Sequence, residues 1–461
     1  MSTDIESQEK SILKGAEGSR ALNDNVMILA AQGNGLAVKT EDGLVLVDAG
    51  PGRGTTAKMI SDLRAWSDLP VKAICYSHGH AGYNDGVPVW LAHAEERGDT
   101  APQLIAHENV THRYDRYRET AGLQRTLNAI QFPNLKLNNP EKAYTNPTVT
   151  FRERMTYATR GRRIELIWAP SETDDALVMW LPDDGILYAG AALPGTMMPN
   201  IGTPLRTQRL TIRWAETLEM LADLGATSLV SEFGQVIEGA DQARKVLLST
   251  ARALRWLRQQ VVDRMNQGMS DVEIIHAIDY PKELFDYDWM RERYGAGEYI
   301  VRDIYREENG WWDRNATNLH PGHPDAAATA VLSAITDKQA VIDRAKALVE
   351  AGDVQAALHV IDLLALAPGD DPVLIEARHL KAGLCHLRAE EISPYVSKAL
   401  YKSTAKLLES GRGVGQPTIR LVPCEFRLDI FWRVGWAHRP AQNADDVGFA
   451  KKQLMLVFRR R

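Results

Sequence analysis

The ten residues Ser77-His78-Gly79-His80-Ala81-Gly82-Tyr83-Asn84-Asp85-Gly86 constrain this chain more than any other stretch. They follow an apolar run, Val71 to Tyr76, that reads as a buried strand about to end. Two histidines spaced two apart just past a strand end can both turn toward one metal ion. The glycines between and after them let the loop curl around it.

The rest of the chain bounds the setting of that loop. At 461 residues it is too long for one simple core, and two or three domains are expected. A formal net charge of −6 argues against nucleic acid as a partner. Cys75, Cys385 and Cys424 are too few and too far apart for a disulfide framework or a cysteine-based zinc site. The polar, acidic start Met1-Ser2-Thr3-Asp4-Ile5-Glu6 predicts no signal peptide, and no apolar stretch is long enough to span a membrane. Together these features predict a cytoplasmic soluble protein.

Residues 1–24 are polar and read as an N-terminal arm. From Asn25, short apolar runs at 26–29, 36–38 and 44–47 read as consecutive strands, the last ending in Asp48-Ala49-Gly50. Residues 55–67 read as a helix leading to the strand before the histidine loop. A ligand-rich loop at the C-terminal end of such a strand is a usual address for an α/β active site. Further strands are expected at 164–168, 176–181 and 186–189, the last two joined by the turn Pro182-Asp183-Asp184-Gly185, and at 227–230. From about residue 240 the pattern becomes helical. A helix is expected over 353–366, ended by Pro368-Gly369-Asp370-Asp371-Pro372, and helix pairs of this kind resemble tetratricopeptide units. The tail is strand-like at Phe426–Trp432.

The order of these segments resembles the metallo-β-lactamase fold, and within it the alkylsulfatase-like branch. Besides the histidine loop, the resemblance rests on Ile105-Ala106-His107-Glu108-Asn109-Val110, Arg116–Gly122, Ser171-Glu172-Thr173-Asp174-Asp175 and Tyr299–Arg306 with Gly310-Trp311-Trp312-Asp313. It covers roughly residues 25–405. It implies a four-layer αββα sandwich over 25–270 and an all-α, tetratricopeptide-like dimerisation region over 271–408; outside it, residues 409–461 read as a short C-terminal α/β segment. It also implies a homodimer.

The resemblance further implies a metal site, and this sequence departs from it. Family members usually carry His-x-His-x-Asp-His in this loop. His78 and His80 match the first two ligands, whereas Gly82 and Tyr83 stand where Asp and His belong. Glu172 resembles the branch's glutamate ligand. Ala191 replaces the expected bridging carboxylate, and Phe233 the last histidine. His78, His80 and Glu172 could thus hold one divalent metal, zinc or iron, with Asp174, Asp175, Asp85 and Glu232 as rival carboxylates. A conventional two-metal sulfatase is not expected.

Three readings follow. The leading one is a divergent alkylsulfatase-like enzyme acting by hydrolysis or elimination on a small or medium organic substrate with an apolar body, using at most one metal. In the second no metal binds, and His78 or His80 is general base with Tyr83 or Asp85 orienting or donating a proton. The third is an inactive protein that keeps the fold to bind a ligand or partner. Phe233 and Asp174 are candidates for substrate contact. Arg116, Arg118 and Arg125 could hold an anionic group, although a solvated helix face explains them equally well. His107-Glu108-Asn109 reads as structural, and Trp311-Trp312 as core or dimer interface.

Overall fold

The computed structural model describes residues 18–133, 144–157 and 159–410. Among these, seven strands form one sheet in sequence order: β1 (Arg20–Ala21), β2 (Val26–Ala31), β3 (Gly33–Thr40), β4 (Gly43–Val47), β5 (Val71–Cys75), β6 (Gln103–His107) and β7 (Val149–Phe151). The first four pair antiparallel, and β4 to β7 pair parallel. A second sheet holds β8 (Arg154–Tyr157), β9 (Ile164–Trp168), β10 (Leu177–Leu181), β11 (Ile186–Gly190), β12 (Ser228–Ser231) and β13 (Ile237–Glu238), in the order β13-β12-β11-β10-β9-β8.

Alternation along the strands builds the layers. In β4, Val45 and Val47 face the second sheet and pack with Leu166, Met179 and Tyr188. Leu44 and Leu46 point the other way, onto the helices Arg53–Trp66 and Val87–Glu96 through Met59, Leu63 and Trp90. On the far side Val178, Trp180 and Leu187 meet the helices Thr211–Ala222 and Ala240–Asn266 through Trp214, Leu218 and Leu254. Each buried aliphatic side chain stabilises the arrangement by about 1.5–3 kcal/mol. The result is helix, sheet, sheet, helix.

Beyond Ala240 the described chain is helical through the helix Tyr395–Glu409. Lys338–Glu350, Val354–Ala365, Pro372–Glu391 and Tyr395–Glu409 stack as successive antiparallel helices around Ile361, Leu364, Leu384 and Leu408. No helix among the described residues is long and apolar enough to cross a membrane. Arg20 and Ala21, read as part of an arm, pair with Ile28 and Met27 at the sheet edge. Trp311 and Trp312 are 76% and 40% exposed, so the core alternative for them is excluded. The expected C-terminal segment lies outside the described residues from 411 onward, as does its strand-like tail.

Candidate active site

The histidine loop is fastened before it presents any chemistry. Because β4 and β5 run parallel, Asp48 and Ser77 emerge side by side at their C-terminal ends. The Ser77 backbone N–H donates to Asp48 Oδ1 at 2.8 Å, and Asn84 Nδ2 donates to the same oxygen at 3.0 Å. Asn84 also reaches the His78 carbonyl at 3.4 Å and accepts from the Ala49 N–H at 3.2 Å. Gly79 must be glycine: a Cβ there would sit 2.7 Å from Asp175 Oδ2 and 2.8 Å from Arg113 Cδ. Burial pushes the Asp48 carboxyl up to about 6, against the donors of Ser77, Asn84 and Tyr188.

His78 is wholly buried, with Nδ1 at 2.9 Å from Ser77 Oγ and Nε2 at 3.0 Å from His80 Nδ1. Burial pushes His78 down to about 4, outweighing the attraction of Glu172 and Asp175. His80 is pushed well below the ordinary imidazole range by burial first, then by His78. Both rings are therefore neutral near pH 7, the form that can ligate a metal or accept a proton.

Glu172 arrives from the loop after β9. Its Oε1 accepts from Asn200 Nδ2 at 3.0 Å and pairs with Arg209 at 3.1 Å, while Oε2 lies 4.0 Å from His80 Nδ1. Ligand atoms of His78, His80 and Glu172 all lie within 4.8 Å of one another, a group of metal-ligating type found among the described residues. Two imidazole nitrogens and one carboxylate oxygen suit zinc or ferrous iron, with room for further ligands. Ser77 is placed to accept from His78 Nδ1 and so leave Nε2 for a metal, the outer support such ligands need. The donor set fits one ion.

Beside this group the space is filled differently. Tyr83 donates its hydroxyl to Glu232 Oε1, and its ring centroid lies 4.3 Å from that of His78. Glu232 is buried, and burial, reinforced by Glu172, pushes its carboxyl well above the ordinary range. Gln32 crowds the Cα of Gly82. Ala191 is buried just past β11. Phe233 packs with Met197 and Tyr294 against Tyr395 and Val396 of the last described helix.

His80, Tyr83, Glu172 and Glu232 line a cavity of about 130 Å³ together with the apolar side chains of Phe132, Met197, Phe233 and Tyr294. It adjoins a larger cleft of about 740 Å³, with which it shares His80, Glu172, Arg206 and Arg209. Arg206 donates to Asn128 Oδ1 at 2.8 Å.

The structure thus gathers His78, His80, Tyr83, Glu172 and Phe233. Asp174 lies in the outer cleft, 60% exposed and 2.6 Å from Arg113. Asp175 is buried on the same guanidinium at 2.5 Å; burial raises its carboxyl, but Arg113 and Thr173 together hold it below the ordinary range. Asp85 lines neither cavity. Arg118 is turned away, bound to Asp115 at 2.8 Å and to the Tyr144 carbonyl at 3.1 Å. His107 stacks on Trp168 at 5.2 Å and accepts from the Asn109 N–H. Asn200, Arg206 and Arg209 were not anticipated; their loop has neither helical nor strand periodicity, and its one signal is a pair of arginines three apart.

Comparison with known proteins agrees with this architecture. The family described as Metallo-beta-lactamase superfamily matches residues 29–230, and that described as Alkyl sulfatase dimerisation matches residues 270–411. A linear primary-alkylsulfatase of Pseudomonas sp. is 26% identical over 363 residues, covering 75% of this chain and 68% of its own length. An (R)-specific secondary-alkylsulfatase, also of Pseudomonas sp., is 24% identical over 418 residues, covering 81% and 59%. The solved structure of a stereoselective inverting sec-alkylsulfatase from Pseudomonas sp. superposes with a TM-score of 0.73 at 20% identity, covering 86% of this chain and 66% of that one. The chain therefore spans about two thirds or less of the length of these relatives.

Proposed function

Since the chain joins a metallo-β-lactamase superfamily domain to an alkyl sulfatase dimerisation domain, we propose that it is a sulfatase-type enzyme. It cleaves, by hydrolysis or elimination, an anionic ester with an apolar body. The observation that carries this reading is the cavity: neutral imidazole, carboxylate and an arginine pair share one small concavity with Phe132, Met197, Phe233 and Tyr294. The apolar walls hold the alcohol portion and exclude water from it. Arg206 faces the cavity with an amide as its hydrogen-bond partner and is placed to bind the anionic group.

His78, His80 and Glu172 would hold a single ion, which when bound supplies Lewis-acid polarisation of an ester oxygen or activation of water. Arg209 and Asn200 fix the Glu172 carboxylate so that Oε2 faces the histidines. The Tyr83–Glu232 pair and Phe233 take the room a second ion would need, which supports one metal at most. In a protein without metal, His80 on the cavity wall is a neutral base of suitable placement. The helical region would join two copies of the chain.

The test is metal analysis combined with turnover. We expect about one zinc or iron per chain, three protein ligands being the usual catalytic set, and slow release of sulfate from octyl sulfate. Both should be lost in His78→Ala/His80→Ala. Metal without turnover on any anionic ester would favour a binding role, and turnover unchanged in the double variant would overturn the assignment of the site.

A further inference from the structure

The outer cleft carries more positive charge than a singly charged headgroup needs. Arg113, Arg116, Arg206, Arg209 and Arg213 line it, against the carboxylates of Glu172 and Asp174. Arg113 is neutralised by Asp174 and Asp175, and Arg209 by Glu172. The other three have no carboxylate partner among the described residues. Arg206 holds Asn128, Arg116 lies over the Tyr117 ring at 5.3 Å, and Arg213 over the Trp168 ring at 4.7 Å.

A solvated helix face does not account for this arrangement. All three are half-buried on the wall of one concavity, and two are held in place over aromatic rings. The chain as a whole is acidic, at −6. Unpaired cations gathered in a cleft with low-dielectric walls focus their field there and repel one another until an anion enters. Arg206 stands where cleft and inner cavity meet, while Arg116 and Arg213 line the cleft alone.

We propose that the substrate's headgroup carries negative charge on two centres, as in a diphosphate ester of an apolar alcohol. The apolar body lies in the inner cavity, the first anionic centre at Arg206, and the second in the outer cleft between Arg116 and Arg213. This rests on the proposed placement of an anionic ester at the cavity mouth, and it narrows the class of ester. Guanidinium groups bind phosphate oxygens through paired charge-assisted hydrogen bonds, so each added anionic centre adds affinity and not only charge.

The experiment compares two unreactive probes with the same eight-carbon tail, octane-1-sulfonate and octane-1,1-bisphosphonate, by calorimetry at constant ionic strength. The wild type should bind the bisphosphonate at least about ten-fold more tightly, the size expected of one added charge-assisted contact. In Arg116→Gln/Arg213→Gln the ratio of the two affinities should fall to within about two-fold. The ratio is taken within each protein, with thermal melting as a check on folding, so a partly unfolded variant does not mimic the result. Equal affinities in the wild type, or a preference that survives the double substitution, would falsify the proposal. Octyl sulfate turnover is scored separately. Octyl diphosphate turnover is scored beside it: turnover without the bisphosphonate preference removes this inference alone, and the preference without turnover of either ester removes the catalytic reading alone.

Discussion

Asp48 combines a backbone φ of 64° with a carboxyl buried among Ser77, Asn84 and Tyr188. The left-handed conformation disfavours most side chains but is best tolerated by Asn and Asp. Because the folded-state carboxyl is pushed up from 3.8 to about 6, its protonated form is the one folding favours. The stability this contributes is present below the unfolded value and is lost as pH rises through about 6. The difference amounts to roughly 3 kcal/mol. Asp48→Asn keeps the oxygen that accepts from Ser77 and Asn84 and removes the titration. Urea unfolding at acid and neutral pH should therefore show the wild type losing about 3 kcal/mol more than the variant between these conditions. Parallel profiles for the two proteins would show that Asp48 does not titrate in this range. At this scale the sequence exposed what lies within one loop. His78 and His80 are two residues apart, and Glu172 stands in a recognisable segment. Tyr83 and Glu232 are 149 positions apart, and nothing in either segment marks them as partners. Arg206 and Arg209 were hidden for a different reason: an irregular loop leaves side-chain direction to tertiary packing.

The cavity's apolar side chains depend on two helices from distant parts of the chain. Ala121–Gln131 is braced by Tyr395–Glu409: the Tyr395 hydroxyl donates to the Gln131 carbonyl at 2.8 Å, and Ser403 Oγ to the Ile130 carbonyl at 2.8 Å. The rings of Phe132, Tyr294 and Tyr395 stack with centroids about 6 Å apart. Tyr395→Ala should cost about 3–5 kcal/mol, the usual range for deleting a buried aromatic ring. Tyr395→Phe, which removes one hydrogen bond, should cost about 1 kcal/mol. In hydrogen exchange the alanine variant should lose protection in 121–131 well before the β4–β5 ladder, because the brace touches the first and not the second. Equal loss in both segments would mean that the helix is not separately held. Elements with long apolar runs, such as β4, β10 and the helix Ala240–Asn266, were legible in the sequence. The strands Val149–Phe151 and Arg154–Tyr157 were not, since they are short and carry too few apolar residues to show a period of two. Nor did local pattern reveal that the helical region would furnish Tyr395 behind the site.

For the whole molecule, the question is what covers the segment after the helix Gly297–Glu308. Trp311 is 76% exposed, Trp312 40%, Leu319 43% and Val331 45%. Residues 313–327 are exposed at every position. A single chain gains nothing by holding two indoles in water, and exposed aromatic residues of this kind serve as anchors between subunits. The segment falls within the part that matches the alkyl sulfatase dimerisation family, so a second copy of the chain is the expected cover. Light scattering should give a mass near twice the 51.3 kDa of one chain. The substitution Trp311→Ala/Trp312→Ala should shift the equilibrium toward the monomer by at least about ten-fold, because truncating an interface anchor typically costs 2 kcal/mol or more. Melting should then depend on protein concentration in the wild type and lose that dependence in the variant. A wild type that stays monomeric, or a variant that dimerises as tightly as before, would remove the two tryptophans from the interface. Octyl sulfate turnover by the variant would then show directly whether the cavity works in a single chain.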